Sequence, residues 1–172
     1  MSESVSPEES TVLAFIETPK GSQNKYELDK ELNAIKLDRV LFSAVHYPAD
    51  YGFIPNTLWD DGDPLDILVL VTNPTFPGCV IDARPIGGLD MSDEKGGDFK
   101  VIAVPESDPR FEGVATLSDV APHILVEIAH FFETYKLLEK KETNILGWHE
   151  VEETRTRIAR SRVLYAEAEG NA

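Results

Sequence analysis

Short apolar runs separated by turn signals fill the first two thirds of the chain, and the spacing of apolar residues then changes from strand-like to helical. From Thr11 to Pro105 this pattern predicts strands over 12–18, 25–29, 34–38, 66–72, 79–91 and 99–104. Turn chemistry separates them at Pro19-Lys20-Gly21, Asp61-Gly62-Asp63-Pro64, Asn73-Pro74 and Gly96-Gly97. Beyond Pro105, Ile124, Ile128, Phe131, Phe132, Tyr135 and Leu138 recur at helical spacing and predict one long amphipathic helix. A second helix is expected over 151–169. No internal repeat or linker divides the chain, so 11–172 reads as one domain, preceded by a polar, acidic, Pro-containing extension over 1–10 that is expected to be disordered.

Composition changes this picture mainly through charge. The 172 residues are 42% hydrophobic and 27% charged, which suits one globular core, but 31 acids face 16 Lys and Arg and leave a net charge of −15. Such a chain repels nucleic acid and anionic membrane on average, so neither is an expected partner. Residues 50–98 alone hold ten acids against Arg84 and Lys95, more than half of the net charge, interleaved with strand formers rather than gathered in a tail. The longest clean apolar run, Ile67 to Val71, is far too short to span a membrane, and the first residues lack a basic start and an apolar run. The single cysteine, Cys79, cannot form an internal bridge and is expected to be a small buried hydrophobe in a reducing, cytoplasmic setting.

The densest chemistry is Asp61-Gly62-Asp63-Pro64-Leu65-Asp66, where Gly and Pro fold the backbone and bring three carboxylates together ahead of an apolar strand. Hard cations with oxygen ligands need such a set, although the spacing does not fit an EF-hand. A solvated Asx-rich turn is the structural alternative. In Asp93-Glu94-Lys95-Gly96-Gly97-Asp98-Phe99-Lys100, a Gly-Gly tip is expected to reverse the chain, with Asp93 and Asp98 flanking it and Lys100 on the face of Asp98. Lys25 and Glu27 share one face of their strand. The histidines His46, His123, His130 and His149 have no zinc-like spacing and read as structural, with His123 and His130 on one helix face suited to packing or a subunit contact. No phosphate loop, nucleophile elbow or dinucleotide fingerprint is present.

Taken together, Ile16-Glu17-Thr18-Pro19, Lys25-Tyr26-Glu27, Leu37-Asp38-Arg39, Tyr47-Pro48 through Tyr51-Gly52, the Asp61 to Asp66 block, Asp93 to Lys100, and Ala129-His130-Phe131-Phe132 through Tyr135-Lys136 closely resemble family I soluble inorganic pyrophosphatases, in order over about residues 12 to 165. The resemblance implies an α+β fold, a five-stranded OB-like β-barrel with flanking helices, and a site that hydrolyses inorganic diphosphate with several magnesium ions. It implies Asp61, Asp66, Asp93, Asp98 and Glu27 as metal ligands, and Asp63 as the general base. Lys25, Arg39, Tyr51, Lys100, Tyr135 and Lys136 are implied as phosphate-holding groups, with Glu17 and Tyr47 supporting them. It further implies a homo-oligomer, a hexamer in bacterial members, with His130 near a subunit contact.

A non-catalytic divalent-cation-binding module would also use the clustered aspartates. It would have no use for Lys25, Arg39, Lys100 and Lys136, which an anion bound on top of metals requires. An oligonucleotide-binding barrel would need a positive groove, which the acidic 50–98 segment opposes.

Overall fold

The computed structural model describes residues 10–171, so the extension expected over 1–10 lies, apart from Ser10, outside the described residues. Eight strands are described: β1 (Val12–Thr18), β2 (Asn24–Asp29), β3 (Ala34–Val40), β4 (Asp50–Phe53), β5 (Asp66–Val69), β6 (Val80–Asp93), β7 (Gly96–Pro105) and β8 (Asn144–His149). They are joined by α1 (Pro122–Thr134) and α2 (Val151–Gly170).

Six strands form a sheet in the order β1-β4-β5-β7-β6-β8, and an additional β1–β6 pairing closes five of them into a ring, with β8 added at β6. This is the α+β, OB-like architecture that the resemblance implies. The hairpin β2–β3 pairs only with itself. The ring strands β5 and β7 are buried on both faces over most of their length. Ile67, Val69, Val101 and Ala103 pack with Val12, Ala14 and Ile16 of β1 and with Ile158 of α2. Their neighbours Leu68, Ile102 and Val104 pack with Ile128, Phe131 and Phe132 of α1. Close strand approach demands glycine at two places. A Cβ at Gly52 would lie 1.8 Å from the Phe15 carbonyl oxygen, and one at Gly88 would lie 2.1 Å from the Phe99 ring.

Several expectations are corrected. β4 and β8 are additional strands, and β5 stops at Val69 instead of running to residue 72. The long helix is shorter than its apolar spacing predicts: α1 ends at Thr134, a 3-10 turn follows over Leu137–Glu139, and Ile124 and Leu138 are exposed. The reversal between β6 and β7 has Glu94-Lys95 at its tip, not Gly-Gly, because Asp93 Oδ1 accepts from Lys95 N at 2.8 Å and Gly96 takes φ +113°. Asp93 then faces Gly96, and Asp98 faces Met91, so the two acids do not oppose each other across the ladder. Cys79 is only partly buried, at the edge of the core.

Candidate active site

The acidic turn is built from its own backbone. Asp61 Oδ1 accepts from Asp63 N at 3.0 Å, Gly62 adopts φ +86°, and Trp59 N donates to the Asp63 carbonyl at 2.8 Å. Leu65, fully buried, anchors the end of the turn, and its N–H donates to Thr57 Oγ1 at 2.9 Å. Asp66 thereby opens β5 on the face that packs α1, while Asp63 stays exposed, its carboxylate making no hydrogen bond or ion pair with another described residue.

Parallel pairing sets Asp66 beside Lys100, and the strand alternation of β7 puts Asp98 on the same face. Lys100 Nζ lies 2.8 Å from Asp66, 2.9 Å from Asp98 and 3.1 Å from the Tyr51 hydroxyl, and stands about 5 Å over the rings of Tyr51 and Phe132. The lysine is 1% exposed, so its ammonium is held by these carboxylates and rings instead of water. Lys136 Nζ lies 3.4 Å from Asp93.

The opposite wall belongs to the β2–β3 hairpin. Lys25 Nζ is 2.6 Å from Glu27 and 3.5 Å from Asp38. A bulge in β3 leaves Asp38 without a partner position across the ladder. A second bulge does the same for Glu17 in β1, whose carboxylate accepts from Leu28 N at 2.7 Å and so ties the ring to the hairpin.

Together these elements enclose a cavity of about 660 Å³. Of the residues the sequence singles out, Glu17, Lys25, Glu27, Tyr51, Asp61, Asp63, Asp66, Asp93, Asp98, Lys100, Tyr135 and Lys136 line it. Arg39 and Tyr47 do not: Tyr47 is buried behind the wall against Tyr51 and Phe131, and Arg39 stands behind it between Asp38 and Glu139. Asp38, which also lines the cavity, is a participant the sequence reading passes over. Its signal is its place in the Leu37-Asp38-Arg39 motif, one bulge away from Lys25.

The electrostatics record an excess of buried negative charge. Burial, helped by Asp66 and Glu27, pushes Glu17 up to about 7 despite the Leu28 hydrogen bond. Burial likewise raises Asp61, and burial with the neighbouring Asp98 raises Asp66. Asp98 is pulled the other way: burial opposes its ionisation, yet Lys100 prevails and holds it below the usual carboxylate range. The two carboxylates share one ammonium, so their ionisation is coupled.

Among the described residues no three acidic, histidine or cysteine side chains are already gathered as a coordination shell. The donor set nevertheless fits hard cations. It is oxygen-only, drawn from Asp61, Asp66, Asp93, Asp98 and Glu27 around one cavity, and Lys100 alone does not neutralise the acids packed around it.

Residues 14–166 match the family model described as "Inorganic pyrophosphatase". The inorganic pyrophosphatase of Nostoc sp. is 57% identical over 159 residues, covering 92% of this chain and 94% of that protein. Among solved structures, the inorganic pyrophosphatase of Thermus thermophilus superposes with a TM-score of 0.90 at 46% identity, covering 96% of each chain. That of Helicobacter pylori gives 0.89 at 43% identity, covering 96% of this chain and 99% of the other.

Proposed function

The chain belongs to the family I inorganic pyrophosphatases, and from that premise we propose that its cavity splits diphosphate using magnesium ions held by Asp61, Asp66, Asp93, Asp98 and Glu27, with Asp63 as general base. Membership makes the chain an inorganic diphosphatase, a metal-dependent hydrolase of the phosphoanhydride bond. The observation that carries the finer reading is the pairing of opposites in one cavity: oxygen-only acids on the turn and β7, and Lys25, Lys100 and Lys136 among them. A cation-binding module has no use for those lysines, whereas a highly charged anion does.

Bound divalent ions supply charge neutralisation and a lowered water pKa, from 15.7 towards about 7. The chain's residues do the rest. Asp63, exposed and unpaired, accepts at its carboxylate the proton that the attacking water loses as its oxygen bonds to phosphorus and the bridging P–O bond breaks. Lys25, Lys136, Tyr51 and Tyr135 hold phosphate oxygens in line, and Arg39, outside the cavity lining of the substrate-free chain, is a further phosphate-holding group. Burial raises both tyrosine hydroxyls far above neutrality, so each remains a hydrogen-bond donor throughout. Lys100, beside Asp66 and Asp98, would neutralise charge developing on the leaving phosphate.

The reading extends to one domain over 11–172 acting as a cytoplasmic homo-hexamer. His130 is exposed on α1, beside a largely apolar hollow lined by Val45, Val114 and Ile124 that suits a second copy. Among the described residues no helix is long and apolar enough to cross a membrane.

Phosphate release from magnesium diphosphate is the test. Release should stop when the divalent ion is chelated, and Asp63→Asn should lose about 10²- to 10⁴-fold in kcat while still binding substrate. Full turnover by Asp63→Asn would remove Asp63 as base, and release without any divalent ion would remove the metal assignment.

A further inference from the structure

Glu139 lies outside every motif singled out in the sequence, yet it is one of the most enclosed acids of the chain, its side chain 6% exposed. It closes the 3-10 turn Leu137–Glu139, directly after Tyr135 and Lys136. Two hydrogen bonds tighten that turn, Glu139 N to the Lys136 carbonyl and Lys140 N to the Leu137 carbonyl, both 3.0 Å, and Lys140 takes a left-handed φ of 59° to end it. The backbone that carries the carboxylate is therefore fixed by the turn.

Its charged partner among the described residues is the guanidinium of Arg39, whose Nε lies 3.0 Å from Glu139 Oε1, while Nη1 pairs with Asp38. The contact is an ion pair without hydrogen-bond alignment: Arg39 Nε, Arg39 Nη2 and Glu139 Oε2 are the buried side-chain polar atoms, among the described residues, that make no hydrogen bond. Buried polar atoms left this way call for an account, and two of the three are donors of one guanidinium beside a cavity already read as an anion site.

We infer that Glu139 is a positioning residue for diphosphate hydrolysis: it holds the Nε edge of Arg39, so that Nη2, buried and without a partner in the substrate-free chain, is kept as the donor that a substrate phosphate would satisfy. Glu139 also joins the end of α1 to the hairpin that carries Lys25 and Glu27, so Arg39, Tyr135 and Lys136 are set in one frame. The inference rests on Arg39 being a phosphate-holding group, as proposed above.

The test is a double-mutant cycle on Arg39→Ala and Glu139→Gln, read in KM and kcat for magnesium diphosphate, with Glu139→Asp as the conservative variant. Glu139→Gln should raise KM about tenfold, the scale of a lost contact to a charged group, with a smaller change in kcat. It should add nothing further in the Arg39→Ala background, and Glu139→Asp should recover part of the loss. A KM effect that persists undiminished in Arg39→Ala, or a Glu139→Gln enzyme with unchanged KM, overturns the inference while leaving Arg39 in place. If Arg39→Ala itself matches the parent enzyme, the phosphate-holding role of Arg39 fails and the inference falls with it.

Discussion

Asp66, Asp98 and Lys100 stand on ring strands that are hydrogen-bonded to neighbours and buried on both faces, whereas Lys25, Glu27, Asp38 and Arg39 stand on a hairpin that pairs only with itself and is half-buried or exposed along its length. The hairpin is attached by a handful of bonds. Thr18 Oγ1 binds the backbone of Tyr26, Glu17 accepts from Leu28 N, Tyr47 N donates to the Ser22 carbonyl at 3.0 Å, and Arg39 meets Glu139. Asp66 and Asp98, two of the acids that would hold cations, are thus fixed by the core itself together with Lys100, whereas Lys25 and Arg39, which would grip an anion, and Glu27 beside them are held by replaceable side-chain contacts. Cation ligands tolerate little displacement, while a phosphate clamp must close on substrate and let product go, so the difference in attachment matches the difference in task.

Removing a charge from each wall gives the largest contrast. Lys100→Met leaves Asp66 and Asp98 buried without their ammonium and should cost the metal-free protein about 3–5 kcal/mol. Lys25→Met removes an ion pair at the edge of the cavity, with Glu27 half-exposed, and should cost less than about 1 kcal/mol. Urea unfolding near pH 7.5 measures both, and equal costs would erase the distinction between the walls. Added magnesium should recover part of the Lys100→Met loss, since a hard cation can neutralise the same acids.

How much of this was legible beforehand follows the same division. The acidic turn could be read directly, because Asp-Gly-Asp-Pro writes its backbone conformation into adjacent residues, and so could the shared face of Lys25 and Glu27. Ring closure could not, because the β1–β6 pairing joins residues about seventy positions apart and leaves no local period. β4 leaves no local signal because Asp50, Tyr51 and Gly52 are all buried, so nothing alternates, and β8 leaves none because Gly147 and a bulge at Leu146 interrupt it. The turn tip lies two residues ahead of the one that the glycines predict because Asp93 captures Lys95 N before they are reached. Glu139 carries no motif at all; only the fold brings it to Arg39, exactly one hundred positions earlier in the chain.

Glu17 stands at the seam and should give the next largest effect. Burial lifts its folded-state value from the ordinary 4.5 to about 7, so the folded chain binds more protons than the unfolded chain between those limits. Stability from this group is therefore full on the acid side and is lost as pH rises through about 7. A glutamine keeps an acceptor for Leu28 N and cannot ionise. Between pH 5 and 8 the metal-free parent should lose on the order of 2 kcal/mol more than Glu17→Gln, seen as diverging urea midpoints. Parallel pH profiles would mean that the seam carries no such electrostatic load.

Thr18→Val tests the attachment with the smallest change. Thr18 is fully buried at the end of β1, and its hydroxyl both accepts from Tyr26 N at 3.1 Å and donates to the Tyr26 carbonyl at 3.2 Å. Valine keeps the shape and removes both bonds, leaving two hairpin backbone groups without partners, at a cost of about 1–2 kcal/mol. If the hairpin is a separately attached unit, that cost falls on it alone: amide exchange should quicken over 24–29 and 34–40 while ring amides in β5 and β7 keep their protection. KM should then rise with little change in kcat, because the clamp loosens while the acids on β5 and β7 stay in place. Uniform loss of protection through ring and hairpin would show instead that the two walls unfold as one body, and the contrast in their attachment would have no dynamic consequence.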